Sequence, residues 1–187
     1  MALILASTSP TRAMLLRQFG ISFKQIAIDF DEDAIEATIP KDFVYLATKG
    51  KLEAYLGKHH DNNPVLCADT VICANGEILR KAKSRDEARE ILLKQSDNAV
   101  SIISCLMYQS PHKKFIDISE TRYLFMPFDM QKLEAYLNSG DWEGKAGACM
   151  VEGFCKSYIK KVEGLQSTAM GLSVERLLPF LESQDAV

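Results

Sequence analysis

The 187-residue sequence predicts an α/β fold in which helices flank a mixed sheet. Three observations lead there. Strand-like apolar runs alternate with segments of helical spacing, the pattern of repeated βα units. Two pairs of strand candidates are joined by short polar turns, which adds antiparallel hairpins to the parallel expectation. Most helix candidates also open on a capping residue. At this length one domain, spanning 1–187, is expected, with enough chain to bury a sizeable core.

Taken in order, Ala2–Ala6 is a continuous apolar strand candidate. Ser9 is placed to cap a helix whose first residue is Pro10, where the missing N–H costs nothing, and Gly20 ends it. A second strand is predicted over 23–28, then an acidic stretch, Asp29 to Glu36. Residues 42–56 have helical apolar spacing, interrupted by Gly50. Residues 62–79 predict a turn, a strand, an Asn75-Gly76 hairpin and a short return strand. Ser84 with Glu87 three residues later predicts a capping box, and Ala88, Ile91 and Leu92 form the apolar stripe behind it. Two apolar strands follow, "VSIISCLMY" and "TRYLFMPF", joined by the polar "QSPHKK". Asp129 caps the next helix, with Leu133, Tyr136 and Leu137 on one face. Segment 139–153 holds four glycines and is predicted to be a functional loop. "SYIKKVEG" predicts a last strand, and Ser173 caps a last helix with Val174, Leu177, Leu178 and Leu181 facing the core.

Composition excludes several classes. The net charge of -3 offers no global field for nucleic acid, and the basic run 80–85 has no interleaved aromatics on which bases could stack. No apolar run reaches membrane-spanning length, and the apolar start lacks a basic leader, so a cytoplasmic protein is expected. The five cysteines include no CxxC pair and the three histidines no HxH or HxxxH spacing, which argues against structural zinc. P-loop, dinucleotide-binding and GxSxG patterns are all missing.

Two stretches carry chemistry. In "ILASTSPTR" a strand runs into Ser7, Thr8 and Ser9 at a helix start, with Arg12 in the first turn. Hydroxyls, free N–H groups and a guanidinium there suit a phosphate. In "VLCADTVIC" Asp69 interrupts an apolar strand beside Thr70. Burying such a carboxylate is costly unless it is paired or holds a cation such as Mg²⁺. One carboxylate of the acidic stretch could complete such a site with Asp69. Lys51 and Lys81, together with Arg12, could neutralise a polyphosphate.

These motifs, in register from about residue 3 to residue 181, resemble the Maf (septum-formation) family of nucleotide pyrophosphatases. The matching segments are "LASTSPTRAMLL", "DED" at 31–33, "KGKL", "ADTV", "EILRKAKSRDEA", "GKAGACMVEG" and "GLSVERLLPFL". The resemblance implies a mixed twisted sheet like that of inosine triphosphate pyrophosphatases, with two lobes around a cleft. It implies hydrolysis of a nucleoside triphosphate to the monophosphate and pyrophosphate, dependent on Mg²⁺ or Mn²⁺. A role in nucleotide-pool cleaning, a link to cell-division arrest and a homodimer are implied as well.

Position by position, the resemblance makes Asp69 the catalytic proton acceptor and, with Glu32, a metal-site carboxylate. Ser7, Ser9, Arg12, Lys51 and Lys81 match phosphate-handling residues, and Arg12, Thr70 and Glu152 match positions linked to substrate choice. The chain departs from the pattern at Thr11, where the family usually has an arginine, and at Ala13 and Met14. It departs again at Leu52, at Arg80 and Ala82 around Lys81, and at Cys149 in place of a tyrosine. Glu152 stands where a pyrimidine-preferring branch has glutamine and a 7-methylguanosine-triphosphate branch has glutamate, whereas Thr70 looks like the pyrimidine branch. Two other readings remain at this stage. "IAIDFDED" resembles the opening of haloacid-dehalogenase phosphatases, with Asp29 as nucleophile, Asp31 as acid/base and Glu163 as the only late acid. A regulator that binds nucleotides without turnover is the other.

Overall fold

The computed structural model describes residues 2–149 and 151–181. Their contacts group into two compact units. The first comprises the described residues of Met1–Thr70, Ile103–Glu120 and Leu165–Val187, and the second comprises those of Val71–Ile102 and Thr121–Gly164. Met150, within the glycine-rich motif, lies outside the described residues.

In the first unit, β1 (Leu3–Ala6) pairs in parallel with β2 (Phe23–Ile26) on one side and with β3 (Val65–Ala74) on the other. The strand order there is β2-β1-β3-β5-β6, with β5 at Ala99–Gln109 and β6 at Lys114–Phe125. β1 is apolar throughout because both of its faces are covered. Leu3 and Leu5 pack with α1 (Pro10–Gln18) and α6 (Val174–Leu181) through Leu15, Leu16 and Leu177, while Ile4 and Ala6 pack with Tyr55 of α2 (Pro40–Lys58). Each leucine so buried contributes roughly 1.5–3 kcal/mol. The predicted strand 23–28 stops at Ile26, which pairs with Ala6, the last residue of β1. Beyond that point the chain at Ser7 turns toward a helix and leaves residues 27 and 28 without a β1 partner.

α2 is longer than predicted because it starts on Pro40 at its first turn without a side-chain cap. Gly50, expected to weaken this helix, lets the Phe30 ring lie against it: a Cβ there would be 2.2 Å from that ring, which would have to move. The short α5 (Gln166–Ala169) has no counterpart in the sequence reading. Ser173, predicted as a cap, bonds through its hydroxyl to Ser119 and to Thr168 Oγ1, the latter at 3.0 Å.

In the second unit the order is β4-β3-β5-β6-β7, with β4 at Glu77–Leu79 and β7 at Ile159–Glu163. Asn75 (φ 53°) and Gly76 (φ 79°) make the predicted hairpin turn between β3 and β4. α3 (Arg85–Gln95) starts on Ser84, whose Oγ accepts from Glu87 N, but the Glu87 carboxylate reaches the N–H of Lys83 rather than that of the cap. α4 (Met130–Ser139) is capped by Asp129 and closes on Gly140 in the left-handed conformation. Tyr136, Phe125, Phe128, Phe154 and Tyr158 form the aromatic part of this core. Among the described residues, no helix is long and apolar enough to cross a membrane.

Candidate active site

The end of β1 and the start of α1 place Ser7, Ser9 and Arg12 together. Ser9 Oγ caps α1 by accepting from Arg12 N at 3.3 Å, and Gln25 of β2 holds the turn by donating to Ser7 O at 2.7 Å. The guanidinium of Arg12 then turns back across this turn. Its Nε donates to Gly171 O (2.9 Å), Nη1 to Ser7 Oγ (3.2 Å) and Nη2 to Thr70 Oγ1 (3.2 Å). A guanidinium has five N–H donors, so two are left for a ligand after these three bonds.

Asp69 on β3 is 5% exposed. Its Oδ1 accepts from Lys51 Nζ of α2 at 2.6 Å, and the same ammonium lies 2.5 Å from Glu32 Oε1. Glu32 opens a short 3-10 turn, Glu32–Ala34, which Asp31 caps by accepting from Asp33 N. Burial, and after it the charge of Glu32, push the Asp69 carboxyl up from its ordinary range against the pull of Lys51 and Arg12. Burial lowers Arg12, while Asp69 and Glu32 act the other way. Six of the nine sequence-predicted site residues (Ser7, Arg12, Glu32, Lys51, Asp69 and Thr70) therefore carry side chains in one connected electrostatic and hydrogen-bonding set, and Ser9 caps the helix that bears Arg12.

Lys81 and Glu152 belong to the second unit. Lys81 is exposed and forms an antiparallel bridge with Ala146, and Gly147 N donates to Arg80 O at 3.2 Å. The segment around Lys81, where Arg80 and Ala82 depart from the family pattern, is thus shaped by pairing with the glycine-rich loop. Gly147 has φ +61°, and a Cβ there would sit 3.2 Å from Ile72, which explains the glycine. Glu152 is exposed, and its charge contributes to raising the Tyr123 hydroxyl after burial. Cys149 is buried, and its neighbour Cys155, together with burial, pushes its thiol up.

The haloacid-dehalogenase reading finds no strand under its nucleophile. Asp29 lies beyond the end of β2 and is exposed, and Asp31 is occupied as a cap. Cys67 of β3 is no nucleophile either, since burial pushes its thiol up to about 12.

Two contributors to the site escaped the sequence reading. Ser104 on β5 lies 2.9 Å from Thr70 Oγ1, and Gly171 supplies the carbonyl that holds Arg12. Ser104 carried the signal that singled out Asp69, a polar residue inside an apolar strand. Gly171 carried only its place at the head of the segment "GLSVERLLPFL".

A family model for Maf-like proteins matches residues 2–184. The chain belongs to the Maf family. A Nitratiruptor protein described as a nucleoside triphosphate pyrophosphatase is 55% identical to this Maf-family chain over 175 residues, covering 92% of the chain and 95% of the relative. A Helicobacter pylori protein of the same description is 41% identical over 182 residues, covering 97% and 96%. A Staphylococcus aureus Ham1 protein structure aligns with a TM-score of 0.53 at 16% identity, covering 98% of this chain and 100% of that one. A Mycobacterium abscessus dITP/XTP pyrophosphatase structure gives 0.50 at 15% identity, covering 98% of each. At such identities the likeness is one of fold, and the fold is the α/β mixed-sheet class that these structures share.

Proposed function

We propose that this Maf-family chain is a nucleoside triphosphate pyrophosphatase, a hydrolase of acid anhydrides that releases a nucleoside monophosphate and pyrophosphate. The observation that carries the reading is the buried Asp69 flanked by Lys51 and Arg12 at the phosphate-binding type of helix start. Asp69 accepts a proton from water as that water's oxygen bonds the α-phosphorus. The bond from that phosphorus to the bridging oxygen breaks, and its electron pair leaves with pyrophosphate. A carboxyl raised above its ordinary range is the better base for this step. Ser7, Ser9, Arg12 and Lys51 bind and neutralise the phosphate chain, and the family resemblance assigns Lys81 of the second unit to the same task.

The residues fit Mg²⁺ or Mn²⁺. Asp69 Oδ2 is buried without a hydrogen-bond partner among the described residues, and Glu32 and Asp69 already converge on one cationic group, the Lys51 ammonium. Such a cation takes one or two carboxylates and draws its other ligands from water and substrate phosphates. Asp69 and Glu32 would hold it, and it would supply Lewis acidity toward the phosphate oxygens.

A panel of nucleotides with Mg²⁺ or Mn²⁺, separating pyrophosphate from orthophosphate among the products, tests this reading. Pyrophosphate from wild type and a loss of at least about 100-fold in kcat for Asp69→Asn are expected. Orthophosphate release, or binding without turnover, would replace it. For substrate choice, Glu152 accepts but does not donate hydrogen bonds, so a guanine-like edge with N–H donors is favoured. Glu152→Gln is expected to shift relative rates from 7-methyl-GTP toward UTP, and an unchanged ratio refutes that assignment. The resemblance also implies a cytoplasmic homodimer that clears nucleotide pools and is linked to cell-division arrest. Light scattering on the purified chain checks the dimer.

A further inference from the structure

The hydroxyl of Ser104 has one proton, and its geometry leaves that proton a single use. Ser104 Oγ lies 2.8 Å from the backbone carbonyl of Thr168, which only accepts. The Ser104 proton is therefore donated to Thr168 O, and the 2.9 Å contact between Ser104 Oγ and Thr70 Oγ1 takes its proton from Thr70. With that proton directed into the protein, Thr70 Oγ1 can only accept on its other side. There it meets Arg12 Nη2 at 3.2 Å. Ser7 has the opposite polarity: its Oγ accepts from Ser9 N and from Arg12 Nη1, both at 3.2 Å, which leaves its proton to donate outward.

We infer that Ser104 is a positioning residue of the active site, fixing Thr70 as an acceptor so that Arg12 presents its two remaining N–H groups to the substrate phosphates. The inference rests on the proposed reading of Arg12 as a phosphate ligand. Thr70 acts on substrate through the guanidinium and donates no bond of its own to a phosphate. Ser104 is 2% exposed, on β5, and is held by the α5 carbonyl of Thr168, so the polarity at Arg12 is set by parts of the chain distant in sequence. Gly171 O fixes the third corner of the guanidinium.

The test compares Ser104→Ala, Ser104→Thr, Thr70→Val and the Ser104→Ala/Thr70→Val double variant in steady-state kinetics with the best nucleotide of the panel. Ser104→Ala and Thr70→Val are each expected to raise KM about tenfold with kcat within about threefold. The double variant is expected to be no worse than either single one, because both break the same chain of bonds. Ser104→Thr, which keeps the hydroxyl, is expected to restore KM. Additive effects, or a fall in kcat at unchanged KM, overturn the inference. A second readout is independent of turnover: the ¹⁵N–¹H resonance of the Arg12 Nη2 proton that Thr70 accepts, assigned by its absence in Arg12→Lys. Slow solvent exchange of this proton in wild type and Ser104→Thr, and fast exchange in Ser104→Ala, support the inference, and equal exchange in all three overturns it. A wild-type enzyme that releases no pyrophosphate defeats the functional reading instead, and the resonance still decides whether Ser104 positions Arg12.

Discussion

Lys51 stands between two carboxylates that would otherwise repel each other, one of them buried within a strand. Removing the ammonium leaves the Asp69 charge in a poorly solvated position with no cation bonded to it. In metal-free buffer Lys51→Ala is expected to lose about 3 kcal/mol of unfolding free energy, measured by urea denaturation. Added Mn²⁺ is expected to raise its Tm more than that of wild type, since the two carboxylates no longer share an internal cation. That Asp69 would need a partner was legible in the sequence, because a carboxylate in an apolar strand is costly to bury alone, and Lys51 supplies it. That Glu32, and not another residue of the acidic stretch, closes the set follows from where the 3-10 turn at Glu32–Ala34 falls.

At the scale of elements, local signals predicted boundaries well where capping or turn chemistry set them. Ser9, Ser84 and Asp129 each accept from the expected backbone N–H, and Asn75-Gly76 turns the hairpin. α5 and the start of α2 have no side-chain cap, so that signal was missing there. At the corner after α5 even one added methyl group is costly. Gly171 has φ +100°, and a Cβ there would meet Thr70 Oγ1 at 3.2 Å and Arg12 Nε at 3.4 Å. Gly171→Ala is expected to cost about 1–3 kcal/mol in stability and to raise KM for the nucleotide through Arg12.

The α3–α4 contact offers a pH test. Glu134 accepts from Arg89 Nε at 2.8 Å and also pairs with Arg85, and these bonds hold its carboxyl below the ordinary 4.5. The stability this contributes is full above the unfolded value of 4.5 and is lost as pH falls through the lower folded-state value. Chemical denaturation is thus expected to show wild type more stable than Glu134→Gln at pH 7, with the gap closing as pH falls below 4.5.

Across the whole molecule, β3, β5 and β6 each contribute residues to both compact units, so neither unit is a continuous piece of chain. The three shared strands are the physical ground for expecting one cooperative transition, and Trp142, the only tryptophan, reports it from the second unit. Leu66, fully buried in the first unit, is the place to perturb it. Leu66→Ala is expected to cost about 2–5 kcal/mol, and the Trp142 fluorescence midpoint in urea should shift by the full amount. A Trp142 transition that stays in place would show two independently folding domains.

The sequence by itself determined the α/β class, most strands and helices, and the residue types here proposed to meet a triphosphate and a divalent cation. These depend on near-neighbour physics: side-chain period, caps, turns and the cost of burying a lone carboxylate. Only the tertiary structure decided which way each hydroxyl at Arg12 points. That outcome depends on Ser104, 34 residues from Thr70, and on Gly171, 159 residues from Arg12. Hydrogen-bond polarity is fixed by whichever acceptor the returning chain brings within 3 Å, and no local pattern encodes that.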